Sequence, residues 1–183
     1  RSPYAEPLPY LRTGFGSALD GKPKFDVTPF NQTYFDRMRS RIILAGERGI
    51  YVGIMLFNGW SIYDHGYGSP WPFHPFNKDN NVNGIDGDPD GDGEGKEVHG
   101  LVAPAITARQ EAYVRKVIDT VNDLDNVLYE ISNETAFFSR DWQYHMIRFI
   151  RDYERTKSRQ HPVGMTDFDS TPHEAALHRT NDA

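Results

Sequence analysis

Two stretches of this chain have residue types and spacing suited to chemistry. The first is Asn126-Val-Leu-Tyr-Glu-Ile-Ser-Asn-Glu134, an apolar run that ends in an Asn-Glu pair. A carboxylate at the C-terminal tip of a buried parallel strand is well placed to give or take a proton. The second is Asp86-Gly-Asp-Pro-Asp-Gly-Asp-Gly-Glu-Gly-Lys-Glu97. Carboxylates at alternate positions (Asp86, Asp88, Asp90), a carbonyl from Asp92, a direct or water-mediated ligand from Glu94 and a closing Glu97 suit a hard cation, with Gly91 at the sharp turn. This pattern predicts a structural calcium ion that pins the loop. It departs from the usual calcium loop in lacking flanking helices and in having Gly93 where an apolar residue is the rule. A solvated, glycine-rich acidic turn is the alternative.

Rings and amides are concentrated just after residue 57. Asn58, Trp60, Trp71 and His74 are the leading candidates for substrate contacts, with Tyr63, Tyr67, Phe73 and Phe76 beside them and Asn77, Asn80 and Asn81 following. Aromatic walls suit sugars, whose flat C–H faces stack on rings, and the same residues also suit packing of the loop itself. His65 and His74 lack the third clustered ligand that a zinc site needs. Alternation along the strand puts Glu130, Ser132 and Glu134 on one side, with Glu130 deeper and paired to a cation. Asp167 and Asp169 are read as surface positions.

The elements that hold these residues follow from periodicity. Thr28-Pro29 has the form of an N-cap and first helical residue, and Phe30, Tyr34, Met38 and Ile42 recur at helical spacing toward Gly49. Ile50-Tyr-Val-Gly-Ile-Met-Leu-Phe57 is apolar on both faces, as a buried parallel strand should be. A connection over 58–105 separates it from a helix opening at Thr107 and ending near Asn122. The strand 127–132, a helix capped by Ser139 or Asp141, and a strand at His161-Pro-Val-Gly-Met-Thr166 complete the pattern. Residues 1–27 have no sustained period and read as irregular. Helix and strand thus alternate, the rhythm of an α/β protein with parallel strands.

Composition narrows the functional classes. The chain has 183 residues, 20 Lys+Arg against 26 Asp+Glu and a formal net charge of -6, which suits one domain and gives no general surface for nucleic acid. Hydrophobic residues make up 38% and aromatic residues 13%, enough for both a core and a ring-lined cleft. Cysteine is absent, so disulfides and thiolate chemistry are excluded. No apolar run approaches the roughly 18 residues of a membrane span, and no export signal opens the chain. No organic cofactor is expected, and the sequence fixes no oligomeric state.

From Tyr34-Phe-Asp-Arg-Met through Gly49-Ile-Tyr-Val-Gly-Ile-Met-Leu-Phe57 to the Asn-Glu pair at 133 and 134, the chain resembles the apiosidase-like glycoside hydrolases. These belong to the clan of retaining enzymes with an Asn-Glu motif on the fourth strand of a (β/α)8 TIM barrel. The resemblance implies that the strands here are the third to fifth of such a barrel, so that 1–183 form part of a barrel domain with a long 58–105 loop. A closed barrel needs eight strands and about 250 residues. It also implies that Glu134 is the general acid/base, that Asn133 hydrogen-bonds the sugar 2-hydroxyl, and that the full-length protein is secreted or periplasmic. The clan's nucleophile has no counterpart in this chain, which alone is not expected to complete a retaining cycle. The expected activity is hydrolysis of O-glycosidic bonds in poly- or oligosaccharides. A hydrolase of another class using Glu134 as base, and a non-catalytic, calcium-stabilised carbohydrate-binding module, are the alternatives.

Overall fold

The computed structural model describes residues 6–62, 64, 66 and 68–165. Tyr63, His65, Tyr67, Asp167 and Asp169 lie outside them, as does Thr166 at the end of the expected last strand.

The chain opens with an antiparallel hairpin, β1 (Tyr10–Ser17) and β2 (Pro23–Phe30). The sequence reading of 1–27 as irregular missed it because alternation is broken by bulges in the β1–β2 register. Thr28 and Pro29 belong to β2, and α1 (Gln32–Gly46) has Asn31 at its N-cap position instead. Asn31 is fastened by its side chain, which donates to Leu8 O at 3.0 Å.

The helix α1 ends at a reversal in which Gly49 takes a φ of 70°, a left-handed conformation favouring glycine. Ile50 N then bonds back to Ala45 O at 3.0 Å. β3 (Val52–Asn58) follows, then α2 (Pro104–Val121), β4 (Val127–Asn133), α3 (Arg140–Glu154) and β5 (Val163–Gly164). α2 starts three residues before the expected Thr107, since Pro104 suits the first helical turn, where its missing N–H is no loss.

β3, β4 and β5 form one parallel sheet in the order β3-β4-β5, with Asn58 opposite Asn133. Ile54, Leu56, Val127, Tyr129 and Ile131 pack against the apolar faces of α1, α2 and α3 around Phe35, Ile118, Trp142 and Ile150. The opposite face exposes Gly53, Met55 and Leu128. The α/β class and the parallel strands are therefore present, but the expected section of a TIM barrel is not. Among the described residues there are three helices, a two-stranded antiparallel sheet and an open three-stranded parallel one. Closure into a barrel takes about eight strands with consistent tilt and stagger, and this sheet ends at β3 and β5.

Two polar residues fasten the N-terminal ends of the strands. Buried Asn126 donates to Ile42 O at 3.1 Å and to Ile50 O at 3.0 Å, tying the end of α1 to the start of the sheet. Buried Glu154, at the end of α3, accepts from Tyr129 Oη at 3.3 Å and from His161 N at 2.7 Å, and its Oε1 lies 2.7 Å from His161 Nδ1. These bonds anchor β5 beside β4.

Candidate functional site

Glu134 follows the last residue of β4 and has a φ of 47°, the one non-glycine in the left-handed region among the described residues. Such a backbone is disfavoured for a residue with a Cβ, and it persists where surrounding structure over-determines it. Here the cause is close packing of two strand tips. A Cβ on Gly59, directly after β3, would lie 2.3 Å from the carbonyl oxygen of Glu134 and 2.8 Å from its carbon. Only glycine lets the chain after β3 approach the Glu134 peptide this closely.

The side chains are organised by the same contact. The Trp60 indole N–H donates to Glu134 Oε2. Asn58 Oδ1 accepts from Trp60 N at 3.1 Å, and Ser61 Oγ donates to Asn58 O at 2.6 Å, forming the tight turn Gly59–Ser61 that holds the indole. Behind Glu134, Thr135 is buried and its hydroxyl meets that of buried Ser132. Asn58, Trp60, Asn133 and Glu134 are thus gathered at the C-terminal ends of two neighbouring parallel strands, where open α/β sheets bind their ligands. Asn133 and Glu134 are half-buried, and Asn58 and Trp60 are exposed. Strand alternation stops at Asn133: Ser132 is fully buried and Glu130 half-buried, while the left-handed turn takes Glu134 out of that series.

His74 and Trp71 stand apart from this group. Trp71 is 3% exposed, stacks on His74 with ring centroids 5.1 Å apart, and is covered by the backbone of the acidic loop. Cβ atoms on Gly87 and Gly95 would lie 2.6 Å and 2.3 Å from its ring. Two glycines of the calcium-like pattern thus seat backbone on an indole. Asn80 and Asn81 are also internal: the amide of Asn80 donates to Pro72 O and His74 O, and that of Asn81 to Pro75 O, Asn77 O and Ile85 O. Buried donors need such acceptors, and the long loop supplies them with its own carbonyls.

Of the six expected cation ligands, Asp88, Asp90 and Glu97 come together, with one ligand atom of each within 4.8 Å of the others. Asp86 faces Lys78 at 3.6 Å and Asp92 faces Lys96 at 3.7 Å. Glu97 Oε2 is buried without a hydrogen-bond partner, and burial followed by the charges of Asp90 and Asp92 pushes the Glu97 carboxyl upward. Three hard oxygen donors with an orphaned oxygen fit a cation such as calcium.

A cavity of about 380 Å³ lies between the hairpin, the long loop, α2 and the tip of β3. His74 and Asn58 are in its wall, with His99, Tyr10, Tyr34 and Tyr113. Burial, with a smaller effect of His74, holds the His99 imidazole at about 3, and burial pushes the Tyr10 and Tyr113 hydroxyls above the usual phenol range. The sequence reading did not single out His99 or Tyr10, which come from segments without a recognisable period.

Among the described residues no helix is long and apolar enough to cross a membrane. No curated protein and no solved structure matches this chain. Residues 2–171 match a family described as a domain of unknown function (DUF6298), and the chain belongs to that family.

Proposed function

We propose that this chain carries the acid/base half of a retaining glycoside hydrolase acting on O-glycosidic bonds of poly- or oligosaccharides. The observation that carries the reading is the left-handed Glu134 at the end of β4, with its carboxylate held by the Trp60 indole. A positioned carboxylic acid protonates the departing glycosidic oxygen, and its conjugate base then activates the water that releases the sugar. Asn133, beside it, bonds the 2-hydroxyl of the sugar at the cleavage point. The second carboxylate, which attacks the anomeric carbon, is one that the resemblance puts outside this chain. The reading rests on the residues at the strand tips and does not require a closed barrel.

A calcium ion held by Asp88, Asp90 and Glu97 belongs to the same proposal. Its chemistry is structural, offsetting the repulsion of three converging carboxylates and fixing the loop that covers Trp71. That cluster also favours the second reading, a calcium-stabilised carbohydrate-binding module without catalysis. The two part on one experiment: incubation of the full-length protein with a panel of plant and microbial polysaccharides, scored by new reducing ends and by the anomer first formed. Release of sugar with retained configuration supports the hydrolase, and binding without release supports the module.

A further inference from the structure

The cavity beside β3 has an uncharged wall rich in rings. Among the described residues that line it none is Asp, Glu, Lys or Arg, and rings of Tyr10, Phe25, Phe57, Phe76 and Tyr113 dominate it. Its size, about 380 Å³, is within the range of small-molecule pockets. The polar groups of the wall are largely satisfied by the protein. Gln110 donates to Val98 O at 2.7 Å and accepts from Trp142 Nε1 at 2.9 Å. The Tyr34 and Tyr113 hydroxyls meet at 3.1 Å, and Ser61 Oγ is bonded to Asn58 O.

His99 differs from these. It is 2% exposed, its ring stacks on Trp142 at 4.5 Å and meets Phe57 edge-on, and Nδ1 is buried without a hydrogen-bond partner. Buried polar atoms in native proteins are nearly always satisfied, and His99 is a lining residue whose imidazole could take a polar group of a ligand. A sugar could stack a flat face on these rings, but its edge hydroxyls would exchange water for ring carbons and for groups that are mostly bonded already. A charged ligand would find no counter-ion in the described lining itself, the cation felt there being Arg109, which acts on Tyr10 from outside the wall.

We infer that this cavity binds an uncharged, planar aromatic molecule carrying one hydroxyl, a phenol-class ligand, whose rings stack among the aromatic side chains and whose hydroxyl bonds the His99 imidazole. This site shares Asn58 and Ser61 with the surroundings of Glu134 but does not rest on the Glu134 reading, and its test needs no activity.

The test is calorimetric titration of the chain with 2-naphthol, with 2-naphthoate and methyl glucoside as controls, alongside side-chain ¹⁵N spectra of its histidines. The expected result is saturable 1:1 binding of 2-naphthol, binding of 2-naphthoate weaker by about tenfold or more, and a shifted His99 nitrogen resonance on addition of 2-naphthol. His99→Phe, which keeps a ring on Trp142, is expected to weaken 2-naphthol by about tenfold. The spectra of the unmutated protein decide the matter if that variant does not fold. The inference is overturned by absence of saturable binding up to about 1 mM, by equal binding of 2-naphthoate, by displacement of 2-naphthol with methyl glucoside, or by an unmoved His99 resonance at saturation.

Discussion

Gly59→Ala is the smallest change that reaches the candidate site. The added Cβ would lie 2.3 Å from the Glu134 carbonyl oxygen and 3.0 Å from Thr135 Cα, where ordinary contacts begin at 3.4 Å. The atoms it meets are backbone, fixed by the β3–β4 ladder, so relief requires the chain after β3 or the turn at Glu134 to move by about 1 Å. Overpacking of this kind costs about 1–3 kcal/mol. Reduced freedom of the unfolded chain returns about 0.4–1 kcal/mol, leaving a net loss of about 1–2 kcal/mol. The movement also separates the Trp60 indole from the carboxylate, and a 1 Å displacement of a catalytic group lowers turnover by about 10²-fold. Urea unfolding followed by circular dichroism measures the first effect. Gly53→Ala is the control: it lies in β3, the strand that Gly59 follows, its Cβ would have nothing within 4 Å, and it should be neutral or slightly stabilising. Equal stability of the two variants, within about 0.5 kcal/mol, would refute the idea that close packing at Gly59 sets the position of Glu134.

Glu134→Gly relieves the left-handed backbone, so it should raise stability by about 1 kcal/mol in the same urea assay while removing the carboxylate. Acidification should destabilise the protein through His99. Its folded value of about 3 lies below its ordinary 6.5, so the unfolded chain takes up a proton that the native chain refuses, and stability present above 6.5 is lost as pH falls toward 3. Between pH 7.5 and 5 the wild type should lose about 2 kcal/mol more than His99→Phe, and parallel pH profiles would contradict this. Calcium should bind the acidic loop with release of heat in calorimetry and raise the unfolding free energy by about 3 kcal/mol at a hundredfold excess over its Kd. Asp90→Asn should weaken binding, whereas Asp86→Asn, at the residue facing Lys78, should leave it nearly unchanged.

The sequence revealed the elements with strong periods and little of what lies between them. α1, α2, α3, β3 and β4 were legible because each buries one face or both in a single core, and Val127, Tyr129 and Ile131 carry that burial in the motif itself. The hairpin was not legible, since its bulges spoil alternation and its partner is the long loop, held by Phe25 N to Asn80 O at 2.7 Å and Val82 N to Phe25 O at 3.0 Å. Barrel closure was an inference from resemblance, and the three strands form an open sheet. At the site, the strand end and the resemblance pointed to Glu134 and Asn133, and the ring- and amide-rich stretch to Trp60 and Asn58, but their assembly depends on Gly59, which has no side chain to announce it. Trp71 and the amides of Asn80 and Asn81 looked alike in sequence to surface binding residues, and only tertiary packing distinguishes them.

The central claim is that Glu134 moves the proton at the glycosidic oxygen. It is tested most directly by comparing Glu134→Gln with the full-length wild type on two aryl glycosides, one with a poor leaving group and one with a leaving group acidic enough to depart unprotonated. The account predicts a loss of about 10²–10⁴-fold in the step that cleaves the poor leaving group, a much smaller loss for the acidic one, and sugar binding close to wild type. Equal losses on both substrates, or unchanged turnover of the poor one, would contradict it.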